Sequence, residues 1–188
     1  MRRIRLVGIA GSLRAASVHG VILRTISEEL LPDECELVVH GLQKIPLYNE
    51  DLDGPGTPAE VTALRQAIAA ADGLLIGSPE YNHGMSGVLK NALDWLSRPH
   101  GQSVLKGKPV MTFTASPAFT GGVRAQQQLN EALWAIPAAL LPHPQIVIGN
   151  VVTKISEGRL TDEPTRSFLA EALGRLRSIA CGLEPTTP

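Results

Sequence analysis

Between Leu74 and Trp95 the sequence LLIGSPEYNHGMSGVLKNALDW changes character twice, and this change constrains the fold more than any other stretch. Gly73 to Gly77 is an apolar run of strand length, and Ser78 to Ser86 is too rich in Pro, Asn, Gly and Ser to be regular. Val88, Leu89, Ala92, Leu93 and Leu96 then recur at helical spacing. A strand without polar alternation must be covered on both faces, which is the situation of a central strand in a parallel sheet. In such sheets ligands sit beyond the carboxyl ends of the strands, so the polar loop leaving this strand is the first place to look for a site.

The same plan recurs along the chain. Ile4 to Ala10 is nearly all apolar and ends in Gly11-Ser12; Val18, Ile22, Ile26 and Leu30, spaced four apart, predict a helix from about Val18 to Leu31, stopped by Pro32. Glu36 to His40 is shorter and more polar at its ends, which suits an edge strand. Residues 46–58, PLYNEDLDGPGTP, form a long surface connection in which Tyr48 packs the loop down, and Val61, Leu64, Ile68 and Ala71 mark the next helix. Pro109 to Ala115 is a fourth strand running into a loop of small residues at 116–122, SPAFTGG, followed by a helix over about Val123 to Ile136. Gln145 to Ile148 is the last strand and Glu163 to Cys181 the last helix, amphipathic through Phe168, Leu169, Ala172, Leu173, Leu176 and Ile179.

Five strand-helix units, joined by right-handed crossovers, predict a three-layer α/β sandwich around a five-stranded parallel sheet of order 2-1-3-4-5. At 188 residues and 44% hydrophobic content the chain has material for one full core, so residues 1–188 are read as a single domain. In this order the loop GSLRAAS, residues 11–17, faces PEYNHG, residues 79–84, across one crevice, and SPAFTGG flanks it.

Net charge is only -1, which gives no electrostatic reason to expect nucleic acid or an anionic membrane as partner. Cys35 and Cys181 lie far apart without zinc-ligand or CxxC spacing, so neither a metal site nor a disulfide framework is indicated. Free thiols and the lack of any apolar stretch long enough to span a bilayer point to a cytoplasmic protein. Residues 11–17 offer hydroxyls, a tight glycine turn, a helix amino terminus and the bidentate cation Arg14, all suited to a phosphate. Read alone, the same loop is equally a plain turn with Ser17 as N-cap and Arg14 in solvent. It is neither GxGxxG nor a P-loop. No hydroxyl or thiol has a base at a recognisable spacing and no carboxylate pair is arranged for glycoside chemistry, so no catalytic side chain is nominated. A phosphate anchor, the aromatic Tyr81 and backbone-rich turns suit a cofactor that brings its own chemistry.

The blocks GSLRAAS (11–17), PEYN (79–82) with GVLKNALDWLSRP (87–99), and Gly121, Gly122 and Arg124 resemble the NADPH-dependent FMN reductases of the flavodoxin-like fold, the group that includes chromate and quinone reductases. IPLYNEDLD at 45–53 is similar to the family's loop as well. The resemblance implies that Ser12, Arg14 and Ser17 hold an FMN phosphate, and that Pro79, Glu80, Tyr81 and Asn82 line the ribityl chain and isoalloxazine ring. It further implies that His83 shapes the ring edge and that Ser116 and Gly122 reach the flavin from the third loop. NADPH or NADH is the implied co-substrate, a quinone, flavin, metal oxyanion or azo compound the implied electron acceptor in a ping-pong cycle, and a homodimer or homotetramer the implied assembly. The alternative is a non-enzymatic flavodoxin-like electron carrier or binding module, although the TxTGxT loop and acidic surface of such carriers are missing. A flavin-free transferase on the same architecture would need a catalytic carboxylate that the sequence does not offer. Two positions depart from the family pattern: His19 replaces an Asn, and Ser86 replaces a Pro. His19 is expected to remain a phosphate donor, and His83 to Ser86 is expected to set substrate preference.

Overall fold

The computed structural model describes residues 2–183. Its main sheet is built from β1 (Ile4–Ala10), β2 (Cys35–His40), β3 (Gly73–Ser78), β6 (Pro109–Ala115) and two short segments, β7 (Ala139–Leu140) and β8 (Ile146–Ile148). The order is β2-β1-β3-β6-β7, with β8 also on β6, and all of these pairings are parallel. β2 lies at the edge, as its polar ends require.

Central strands are apolar without alternation because both faces are covered. Leu74, Ile76, Val7 and Ile9 point into one core with α2 (Ala59–Ala70), α3 (Gly87–Leu96) and α4 (Val123–Ala135). Leu75, Leu6, Met111 and Phe113 point into the other with α1 (Val18–Thr25) and α5 (Glu163–Ala180). Every residue of β3 is buried.

Three local features differ from the sequence expectation. The expected last strand is present as β8, but a further short segment, β7, precedes it on the same edge of β6: Val110 pairs with Leu140 and Phe113 with Ile146, so five residues, 141–145, stand opposite only Met111 and Thr112. Pro142 and Pro144 lie in this interruption and have no N-H to give to a ladder. The first helix is α-helical only to Thr25 and ends in a π turn, Ile26–Leu30. The stretch after β3, expected to be irregular, folds into a hairpin of β4 (Glu80–Tyr81) and β5 (Gly84–Met85). A second small hairpin, β9 (Ile155–Ser156) with β10 (Arg159–Leu160), precedes α5. None of the described helices is long and apolar enough to cross a membrane.

Candidate flavin site

After β1 the chain enters α1 on one face of the sheet, and after β3 it enters α3 on the other, so these neighbouring strands mark the switch point beyond which ligands bind in such sheets. Gly11 N-H donates to Gly77 O at 2.7 Å, fastening the two strand ends where the loops separate. A side chain at Gly11 would meet Gly77 O and Ser86 Oγ at 3.0 Å, which accounts for the glycine. Ser17 caps α1, its Oγ accepting from Gly20 N-H at 3.3 Å, and the first turn of α1 contains no acidic residue. The uncapped N-H groups of that turn are therefore free of a competing carboxylate. Arg14 is exposed and, among the described residues, makes no ion pair; its N-H donates to Ser12 Oγ at 3.4 Å.

On the opposite wall Pro79 is buried, Glu80 half-buried, and Tyr81, Asn82 and His83 exposed. Asn82 and His83 have φ of 49° and 67°, the left-handed pair that a two-residue hairpin turn demands. The Glu80 carboxylate faces α4: its Oε2 accepts from Arg124 N-H at 3.0 Å and Ala125 N-H at 3.1 Å, filling the amino terminus of that helix. Gly122, the left-handed N-cap of that helix, has no side chain to do so. A Cβ at Gly122 would lie 3.2 Å from Thr114 Cβ and 3.4 Å from Glu80 Cβ. Gln128 of α4 completes the attachment, accepting from Met85 N-H at 2.8 Å. On the third loop Ser116 is half-buried and its Oγ accepts from Ala118 N-H at 3.1 Å.

The fold thus brings all ten sequence-nominated positions, Ser12, Arg14, Ser17, Pro79, Glu80, Tyr81, Asn82, His83, Ser116 and Gly122, to the carboxyl ends of β1, β3 and β6. Ser86 Oγ accepts from Leu89 N-H at 3.2 Å, so this serine is the N-cap of α3, a role its position before an apolar helical stripe makes legible. His19 is a correction to the expectation of a phosphate donor. It is 1% exposed, and its Nε2 accepts from Ala115 N-H at 3.2 Å. Burial lowers its pKa to about 4, opposed in part by a hydrogen bond with the Ser78 backbone, so the ring is neutral. No sequence signal identifies Gln128 as a hairpin support, since it looks like one of three consecutive glutamines, Gln126 to Gln128.

α3 explains the LKNALDW block. Asn91 Oδ1 accepts from Tyr48 N-H at 2.8 Å, and Asn91 Nδ2 and Trp95 Nε1 both donate to Pro46 O, at 2.8 and 2.9 Å. Tyr48 packs edge-on against the buried Trp95 with ring centres 4.9 Å apart. The helix therefore clamps the 45–53 loop beside the crevice.

A helix amino terminus free of acids with an unpaired arginine at one end, and the exposed apolar side chains of Leu13, Tyr81 and Phe119 around the loops, match a ligand with an anionic group and a flat ring. The fold places the chain among the flavodoxin-like α/β proteins. The chain matches the NADPH-dependent FMN reductase family over residues 4–153, and it belongs to that family. It is 38% identical to an NAD(P)H-dependent FMN reductase of Pseudomonas aeruginosa over 93% of this chain and 94% of that protein. A quinone reductase of Escherichia coli is 37% identical, covering 91% of this chain and 92% of its own. Among solved structures, the flavoenzyme FerB of Paracoccus denitrificans, an NAD(P)H:(acceptor) oxidoreductase, superposes with a TM-score of 0.79 at 30% identity, over 95% of this chain and 98% of FerB.

Proposed function

We propose that this chain, acting as one domain, is an FMN-dependent NAD(P)H oxidoreductase that reduces a small-molecule acceptor, with quinones the first class to test. The observation that carries the reading is the pairing of an acid-free α1 amino terminus and an unpaired Arg14 with exposed apolar side chains across one crevice. Ser12, Arg14 and Ser17 would hold the FMN phosphate, the N-H groups and the guanidinium matching a dianion. Pro79 to His83 would flank the ring, and Ser116 and Gly122 would close the third side.

Bound FMN supplies the hydride and electron chemistry. The protein's own contribution is placement. Glu80 and Gln128 fasten the hairpin to α4, so the Asn82-His83 turn is held in place before any ligand arrives. No side chain of the crevice is assigned a proton-transfer step, in keeping with a ping-pong cycle in which nicotinamide and acceptor use the same face in turn. We read the assembly as a homodimer or homotetramer, a reading that the 63% exposure of Trp134 supports and light scattering tests.

The deciding experiment is anaerobic. The purified protein, reconstituted with FMN if necessary, is expected to be yellow, to bleach on addition of NADPH or NADH, and to regain colour with a quinone. Initial rates at several quinone concentrations should give parallel double-reciprocal lines. A protein that neither retains nor takes up FMN removes the proposal; one that binds FMN but is not reduced by either nicotinamide supports an electron-carrier module instead.

A further inference from the structure

His19 occupies the second position of α1, two residues beyond Ser17, yet its ring is withdrawn from solvent. The β3–β6 ladder ends at the Ser78–Thr114 pair. The next N-H on β6, that of Ala115, is taken by His19 Nε2 at 3.2 Å, and the same imidazole hydrogen-bonds with the Ser78 backbone. The ring thus stands in for the residue with which a longer β3 would have continued the ladder. Its plane lies 5.8 Å, centre to centre, from Phe113, which is fully buried.

Ser78 directly precedes Pro79, Ala115 directly precedes Ser116, and His19 stands in the first turn of the helix into which the 11–17 loop runs. One rigid side chain therefore ties the roots of all three loops. Resting on the flavin reading above, we propose that His19 is a positioning residue that sets the spacing of the three FMN-holding loops, so that flavin affinity and potential depend on a side chain with no face on the crevice. The hydrogen bond requires a neutral ring with an unprotonated Nε2, which burial enforces. A phenyl ring keeps the shape but offers no acceptor to Ala115 N-H; a glutamine amide keeps an acceptor at comparable reach.

The test uses the full chain. In the wild-type protein, 15N NMR is expected to show a neutral imidazole protonated at Nδ1; a proton on Nε2 overturns the proposal. In flavin-free H19F the Ala115 amide should exchange about tenfold faster or more, the equivalent of roughly one lost hydrogen bond. FMN binding by H19F should weaken about tenfold, with a potential shift showing that oxidised and reduced flavin are affected unequally, and H19Q should restore both. Wild-type FMN affinity and potential in H19F overturn it, as does a loss that H19Q leaves uncorrected. Should H19F not fold, H19Q decides: binding within about threefold of wild type and a protected Ala115 amide are expected, and a tenfold loss overturns the proposal. Failure of the wild-type protein to bind FMN would count against the function proposed above and not against His19, whose ladder role the amide exchange of the flavin-free protein still reads.

Discussion

At the scale of single residues, exposure separates the proposed binding groups from the supporting ones. Arg14 is exposed and unpaired among the described residues, so its removal deprives the fold of nothing that the structure uses. Arg14→Ala should leave the melting temperature unchanged while weakening FMN by about ten- to a hundredfold, the worth of a hydrogen bond to a charged group. Fluorescence titration and a thermal melt check the two halves; wild-type FMN affinity would sink the phosphate assignment. His19 behaves oppositely, as support. Its folded pKa of about 4 lies below the ordinary 6.5, so between these values the unfolded chain binds more protons than the folded one. Stability is therefore complete above about pH 6.5 and declines as pH falls toward 4, by at most roughly 3 kcal/mol. Asp72 and Asp162, whose pKa values are held below the ordinary 3.8, contribute to acid loss only at still lower pH. Denaturant melts across pH 4 to 7 should show the slope in wild type and not in H19F.

At the scale of elements, short pieces are held by partners distant in sequence. The two-residue hairpin β4–β5 depends on a left-handed His83, φ 67°, a conformation that costs a non-glycine residue on the order of 1 kcal/mol. His83→Gly should raise stability by about that amount in denaturant melts, and a lower stability would mean that the imidazole makes compensating contacts. The sequence pattern here, Asn-His between two short strands, is legible as a turn; the hairpin is not, because β4 and β5 have two residues each and are held by Glu80 and Gln128 contacts with α4. The 45–53 loop is a parallel case. Its packing through Tyr48 follows from the sequence, and its attachment to Asn91 and Trp95 does not. Asn91→Leu leaves the Tyr48 N-H without its acceptor and removes one of two donors to Pro46 O, costing about 1–3 kcal/mol. Limited proteolysis should then cut within residues 46–58 faster than in wild type, with FMN reductase activity falling as the crevice wall loosens.

At the scale of the whole molecule, the missing side chain of Gly77 leaves the room that Phe113 of the neighbouring strand fills. A Cβ at Gly77 would fall 2.3 Å from Phe113 Cζ, and Phe113 is fully buried with His19 against it. Gly77→Ala should destabilise the protein by about 1–3 kcal/mol, the cost of overpacking, and Phe113→Leu should recover part of this loss in the double variant. Additive losses would show that the ring can move aside.

The sequence by itself determined the class of fold and the neighbourhood of the site. Uninterrupted apolar strands can be satisfied only between two helical layers, and loops at their carboxyl ends can meet only where the strand order reverses. The nominated positions therefore needed nothing but local pattern and the family blocks. Tertiary structure alone decided what each residue does there: that Glu80 caps a helix forty-odd residues away in sequence, that His19 extends a ladder in place of holding phosphate, and that a short extra segment, β7, joins β6 ahead of the last strand. The physical reason is that a polar side chain near a folded site takes whichever unpaired backbone group lies within hydrogen-bond reach, and reach is a property of packed strands and helices, not of spacing along the chain.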